Sequence, residues 1–131
     1  MIRMYCEKIQ RVLKNKEQLE TRLKVKMIIR GKEIFINGKA EDEFIAEKVI
    51  DALNFGFPFS IALMLKDEED FMFEILPIKG FTKKHNLERI RARIIGTKGK
   101  TLRALHQLTK CFFELKDNEV GIIGEAEHIK N

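Results

Sequence analysis

The chain has 131 residues, 44% of them hydrophobic, with two prolines and a net charge of +5. Such a composition argues against disorder, and the length accommodates one domain or two very small ones with a real core. No apolar run approaches the eighteen or so residues of a membrane span, and the N-terminus turns charged at once, which excludes a secretory signal, so a soluble intracellular protein without membrane contact is expected.

In chain order, Ile9, Val12, Leu13, Leu19 and Leu23 mark an amphipathic helix from Cys6 to Leu23. Its other face carries Lys8, Arg11, Lys14, Lys16 and Arg22. Val25 to Ile29 reads as a strand, Gly31 permits a reversal, and Glu33 to Ile36 returns. Asn37-Gly38 breaks that strand. A second helix is expected from Asp42 to Asn54, burying Phe44, Ile45, Val49, Ile50 and Leu53. Phe55-Gly56-Phe57-Pro58 ends it, glycine suiting the position after a helix and proline the start of a new segment. A short helix, Phe59 to Lys66, leads into the acidic turn Asp67-Glu68-Glu69-Asp70. Phe71, Phe73 and Ile75 then alternate with Met72, Glu74 and Leu76 in a strand with one strongly apolar face.

The stretch from Asn86 to Thr109 carries the most chemistry. Asn86 suits an N-cap, and Leu87, Ile90, Ile94 and Ile95 recur at helical spacing. After the turn Gly96-Thr97-Lys98-Gly99, Leu102, Leu105 and Leu108 do the same. Two glycines so placed allow positive φ and let another backbone approach. Lys98, Lys100 and the amides opening the second helix supply positive potential for a phosphate. Around the turn stand Lys79, Lys83, Lys84, Arg89, Arg91, Arg93 and Arg103, opposed only by Glu88. Clustering of this kind suits a polyanion. Helix, G-x-x-G and helix form the signature of a KH domain, which clamps about four nucleotides of a single strand. A phosphate-binding P-loop is excluded, because it needs four residues between its glycines and a strand before them.

Beyond the second helix, Cys111 to Leu115 and Glu119 to Ile123 read as a hairpin around Asp117-Asn118, and Glu125 to Asn131 as the opening of a helix. The two halves repeat: Glu33 to Glu41 aligns without gaps to Glu119 to Glu127. In that register Gly96 falls opposite Gln10 and Gly99 opposite Leu13, so the first copy lacks the G-x-x-G. The expected fold class is α+β: two packed KH-type units of type I topology, a degenerate one over 1–58 and a G-x-x-G unit over 59–131.

The order of Asn54-Phe55-Gly56-Phe57, Ile61 to Leu65, Phe71 to Ile75, Arg89 to Thr101 and Val120 to Gly124 resembles a tandem-KH small-subunit ribosome-assembly factor, the partner of the Nob endonuclease. The resemblance covers residues 20 to 131. Its archaeal members keep a G-x-x-G in the first unit and the eukaryotic ones have lost it, so this chain resembles a eukaryotic-type, shortened form. Lys110, where many KH domains place glycine, agrees. Ala92 departs from the family's usual glycine. The resemblance also implies an N-terminal extension and a longer last helix. With that helix cut short at Asn131, Phe112 or Phe113 is expected to be exposed.

The resemblance implies binding to the precursor of small-subunit rRNA near its 3′ end. It implies contact with the Nob-type endonuclease that cuts there, with the rRNA dimethylase and with other proteins of the pre-40S particle. Residence would be nucleolar and nuclear, with cytoplasmic passage on pre-small-subunit particles. It carries Gly96, Thr97, Lys98, Gly99, Lys100 and Thr101 as RNA contacts. KH geometry adds Ile90 and Ile94 as an apolar floor, Arg89 and Arg93 on the rim, and the edge of the Cys111–Leu115 strand as reader of base edges. A generic single-stranded nucleic-acid binder and a protein-interaction scaffold remain as alternatives.

No catalytic residue, metal site or cofactor is expected. His85, His106 and His128 show no metal spacing, Ser60 is the only serine, and Asp67 to Asp70 reads as a solvated turn rather than a cation site. Cys6 and Cys111 sit in apolar patterns and read as reduced core thiols.

Overall fold

The computed structural model describes residues 1–77 and 110–127. The chain divides into two compact units, Met1–Glu69 and Asp70–Asn131.

The first unit runs β1 (Ile2–Tyr5), α1 (Ile9–Lys14), α2 (Lys16–Leu23), β2 (Lys26–Arg30), β3 (Glu33–Asn37) and α3 (Ala40–Phe55). It continues through the single-turn helices α4 (Phe59–Ala62) and α5 (Met64–Asp67). The boundary after Pro58 expected from the sequence lies inside this unit, because α4 and α5 pack against α3. The sheet order is β1-β3-β2, antiparallel throughout, with Ile2, Ile36 and Met27 in one row across it. Strand alternation sends Met27, Ile34 and Ile36 to a face where they are buried with Val12, Leu19, Leu23, Val49, Ile50 and Leu53 of the helices. Each such side chain contributes about 1.5–3 kcal/mol of transfer free energy.

Other expectations for this region change as well, and the short helix expected over Phe59–Lys66 is the pair α4 and α5. β1 was not foreseen: Ile-Arg-Met-Tyr is short, but its alternation pairs it with β3 from Ile2↔Ile36 to Tyr5↔Glu33. The single helix expected over Cys6–Leu23 is two helices. Asn15 breaks it, its side-chain amide donating to Arg11 O at 3.0 Å while its own N–H takes a short bond to Val12 O at 3.1 Å. Asparagine competes locally with helical backbone bonds in this way. Asn54 of α3 ties down the other end of α1, its Oδ1 accepting from the Lys8 N–H at 3.0 Å. Arg11 reaches the carbonyls of Gly56 and Phe57, both at 3.3 Å.

The acidic first turn of α3 complements the helix dipole. Phe44, expected in the core, is 60% exposed, with the Lys48 ammonium 5.2 Å from its ring centre.

The second unit contains β4 (Phe71–Pro77), β5 (Phe112–Lys116) and β6 (Glu119–Glu125), with sheet order β4-β6-β5. Ala126 and Glu127 begin a helical turn after β6. Phe112 and Phe113, expected to be exposed, are half-buried. In both units the first and second strands lie parallel to one another on either side of the third, which is antiparallel to each. Strand, two helices, two strands and helix in the first unit, with the same sheet order in the second, is type I KH topology. The fold class expected from the sequence is the one observed.

Candidate nucleic-acid interface

The expected contact residues Gly96, Thr97, Lys98, Gly99, Lys100, Thr101, Arg89, Arg93, Ile90 and Ile94 lie outside the described residues, as do His85, His106 and His128. The structure does describe the frame that holds them. Residues 78–111 connect β4 to β5, two strands separated by β6. In the first unit the equivalent connection, residues 6–25, carries α1 and α2. The G-x-x-G therefore falls in the crossover where a KH fold places its nucleic-acid turn. β5 lies at the edge of its sheet, paired on one side to β6, which suits a strand expected to read base edges.

The entrance to that edge strand has a specific backbone. Lys110 takes φ 63°, in the left-handed region, and Cys111 behind it is buried. At the matching place in the first unit, Lys24 takes φ 60° and caps α2 by donating its N–H to Glu20 O. The Glu20 carboxylate also accepts from the Met27 N–H at 2.8 Å, fixing where β2 starts. Positive φ costs a non-glycine residue about 1–2 kcal/mol. This explains why a glycine suits the Lys110 position, the one sequence signal that could have revealed it.

The first unit's helix–helix junction differs from the one its repeat register suggested. Gln10 and Leu13, opposite the two glycines in that register, lie within α1. The break comes at Asn15, between Lys14 and Lys16, and Asn15 has φ −115°. The junction keeps positive charge without glycine's conformational freedom.

The acidic turn is partly accounted for: Asp67 pairs with Arg22 at 2.8 Å. Among the described residues no cluster of His, Cys, Asp or Glu is arranged to hold a metal ion. Cys6 and Cys111 are both buried and not joined in a disulfide, and the Cys6 thiol donates to Asn54 Oδ1 at 3.4 Å. Glu43 is the only buried charged residue among those described. It accepts from the Gly38 N–H at 2.9 Å and lies 3.3 Å from the Met1 amino group. The Gly38 bond foremost, then the ammonium, hold its carboxyl below the ordinary range against an opposing effect of burial. Among the described residues no helix is long and apolar enough to cross a membrane.

The family model for a PNO1-type second KH domain, described as "Eukaryotic type KH-domain (KH-domain type I)", matches residues 72–131. A KH domain-containing protein of Methanocaldococcus jannaschii is 31% identical over 86 residues. That alignment covers 65% of this chain and 37% of the archaeal protein, so the chain spans well under half of the relative it matches. Among solved structures, Dim2p from Pyrococcus horikoshii superposes with a TM-score of 0.80 at 23% identity, over 99% of this chain and 85% of that one. A chain of the a/eIF2α–aDim2p–rRNA complex from the same organism superposes with a TM-score of 0.80 at 25% identity, over 98% and 78%. A protein of unknown function from Aeropyrum pernix gives 0.79 at 24%, over 97% and 76%.

Proposed function

We propose that this chain is a non-catalytic, RNA-binding ribosome-assembly factor that grips single-stranded rRNA in its second KH unit. The observation that carries the reading is the position of Gly96-Thr97-Lys98-Gly99 in the β4–β5 crossover of a type I KH frame. The match of residues 72–131 to a eukaryotic-type KH domain supports it, as does the likeness to a chain from a complex that contains rRNA.

In this reading Gly96 and Gly99 let the sugar–phosphate backbone approach the main chain, and Lys98 and Lys100 attract its phosphates. Thr97 and Thr101 flank that contact, Ile90 and Ile94 floor the groove under unstacked bases, and Arg89 and Arg93 hold the backbone at the rim. The exposed edge of β5 offers main-chain groups to the base edges. The target is the precursor of small-subunit rRNA near its 3′ end, where the protein presents the RNA to a Nob-type endonuclease. The rRNA dimethylase and other pre-40S proteins would be neighbours on the same particle, assembled in the nucleolus and nucleus and passing to the cytoplasm. With few aromatics near the turn, electrostatics dominates, and affinity falls steeply with salt.

The test is binding of the full chain to a single-stranded fragment from the 3′ end of small-subunit rRNA, beside a scrambled strand. Thr97→Asp with Lys98→Asp abolishes binding while circular dichroism stays unchanged. A folded double variant that keeps its affinity sinks the groove assignment. Equal affinity for the scrambled strand leaves a KH protein without the ribosomal role.

A further inference from the structure

The helices of the first unit cover one face of its sheet and leave the other to solvent. The register places Arg3, Phe35 and Ile28 in one row across that open face, and Tyr5, Glu33 and Arg30 in the next. Tyr5 on β1 is 67% exposed and Ile28 on β2 is 55% exposed, so the two outer strands each present an apolar side chain on this face. Tyr5 and Phe35 are diagonal neighbours, about 7–8 Å apart in an antiparallel pair.

The charges around this apolar centre are arranged by sign. Glu33 is the face's one carboxylate, and Arg3 neutralises it at 2.6 Å while holding its guanidinium 5.9 Å from the Phe35 ring centre. Lys26 and Arg30, at the two ends of β2, form no ion pair among the described residues, and both are exposed. Two flat rings on β1 and β3, flanked by a β2 that carries two cations without ion pairs among the described residues, complement a single-stranded polyanion whose units each carry a flat base. Sheet-based RNA readers stack two or three bases on surface aromatics in this way, and base–aromatic stacking tolerates any sequence. A protein partner would fit the apolar centre but leaves the unpaired Lys26 and Arg30 without a stated complement.

We propose that the open sheet face of the first unit is a second single-stranded RNA contact, with Tyr5 and Phe35 stacking on bases and Lys26 and Arg30 engaging phosphates. It is separate from the helix–turn–helix groove and does not depend on the reading of that groove. The first unit, without a G-x-x-G, would then extend the bound strand through its sheet.

Tyr5 is the only tyrosine and the chain has no tryptophan, so its fluorescence reports this face alone. The full chain carrying Lys98→Asp and Lys100→Asp, which silences the groove of the second unit, is titrated with a short single-stranded oligouridylate. Tyr5 emission, corrected for RNA absorbance, is expected to be quenched in parallel with binding. Adding Tyr5→Ala weakens binding by about 5- to 100-fold, whereas Tyr5→Phe, which keeps the ring, restores it. Arg30→Glu lowers the steepness of the salt dependence. Folding of each variant is checked by circular dichroism, and Tyr5 is too exposed for its loss to unfold the unit. Unchanged Tyr5 emission at saturating RNA, with Tyr5→Ala binding like its parent, overturns the proposal. So does a photocrosslinker at position 5 that captures only protein in cell extract. Failure of the groove is read separately, from Lys98→Asp and Lys100→Asp in an otherwise unaltered chain.

Discussion

From Lys24 to Glu41 and from Lys110 to Glu127 the two units run in one constant register. Lys24 and Lys110 both take left-handed backbone at its start, and Gly31 and Asp117 both take positive φ in the turn between the strands. Gly38 and Gly124 occupy the same place near the end of the third strand, and a Cβ at either would press on the residue after the left-handed lysine. Ahead of that lysine the units part. The first connects its outer strands through residues 6–25 and a Lys-Asn-Lys junction, the second through the longer 78–111, which includes the G-x-x-G. The shared half sets the sheet and its edges, and the divergent half sets whether the crossover carries a G-x-x-G. The sheet of either unit can therefore be perturbed without touching the G-x-x-G.

The largest expected stability effect is at the paired glycines. A Cβ at position 124 would stand 2.7 Å from Cys111 Sγ and 3.1 Å from its Cβ, so the packed thiol has to move. Gly124→Ala is expected to cost about 2–3 kcal/mol, the upper part of the range for overpacking. At position 38 the contacts are 3.0 Å to a Val25 methyl and 3.2 Å to the Lys24 carbonyl, and Gly38→Ala costs about 1–2 kcal/mol. Native-state hydrogen exchange resolves the two, because β6 amides lose protection in one variant and β3 amides in the other. Equal loss in both strands from either variant would mean that the units unfold as one. Cys111→Ala placed in the Gly124→Ala background should recover part of the loss, and a double-mutant cycle measures the coupling.

Glu43 distinguishes the units by pH. Its folded pKa is depressed, foremost by the Gly38 bond, so the stabilisation is fully present above the ordinary unfolded value of about 4.3 and is lost as pH falls through the folded value. Glu43→Gln is expected to lower the thermal midpoint at neutral pH. The gap between variant and parent should narrow as pH falls below the ordinary carboxyl value and close only below the depressed folded value of Glu43, where both carry a neutral side chain. A gap that stays constant down to the acid limit would show that shape, rather than charge, is what Gly38 requires.

Much of this frame was legible in the sequence because it rests on short-range rules. Alternation marked β4, β-rich stretches bounded by turn residues marked β2, β3, β5 and β6, and the Glu33–Glu41 and Glu119–Glu127 match exposed the repeat through turn chemistry that both copies need. β1 escaped because four residues carry too little alternation to stand out, and its stability comes from pairing with β3, thirty residues away in the chain. The Asn15 break was hidden by apolar periodicity that runs through it from Val12 to Leu19. Local side-chain bonding outweighed the pattern there. Phe44 was misplaced because its spacing with Val49 and Leu53 is helical, yet a helix packed on one sheet has room for a narrower stripe than the sequence offers. The G-x-x-G was legible as a motif, and its place in the β4–β5 crossover follows from the strands on either side.

The smallest expected effect is at the left-handed lysines, and it tests whether the shared register is strained equally in both copies. Lys24 and Lys110 each bear the cost of a β-carbon at positive φ, about 1–2 kcal/mol, which glycine escapes. Glycine in turn gives up about 0.5–1 kcal/mol through the greater freedom of the unfolded chain. Lys24→Gly and Lys110→Gly should each therefore stabilise their own unit by roughly 0.5–1 kcal/mol, read as slower exchange in β3 or β6. The RNA readout separates the two further. Lys24 lies at the exit of a junction without G-x-x-G, while Lys110 leads into the strand expected to read bases. A loss of RNA affinity confined to Lys110→Gly would add that lysine to the phosphate contacts proposed for the second unit. Unchanged affinity in both would leave the two left-handed residues as purely architectural, kept as lysine because the stability they forgo is small beside that of the packed sheet.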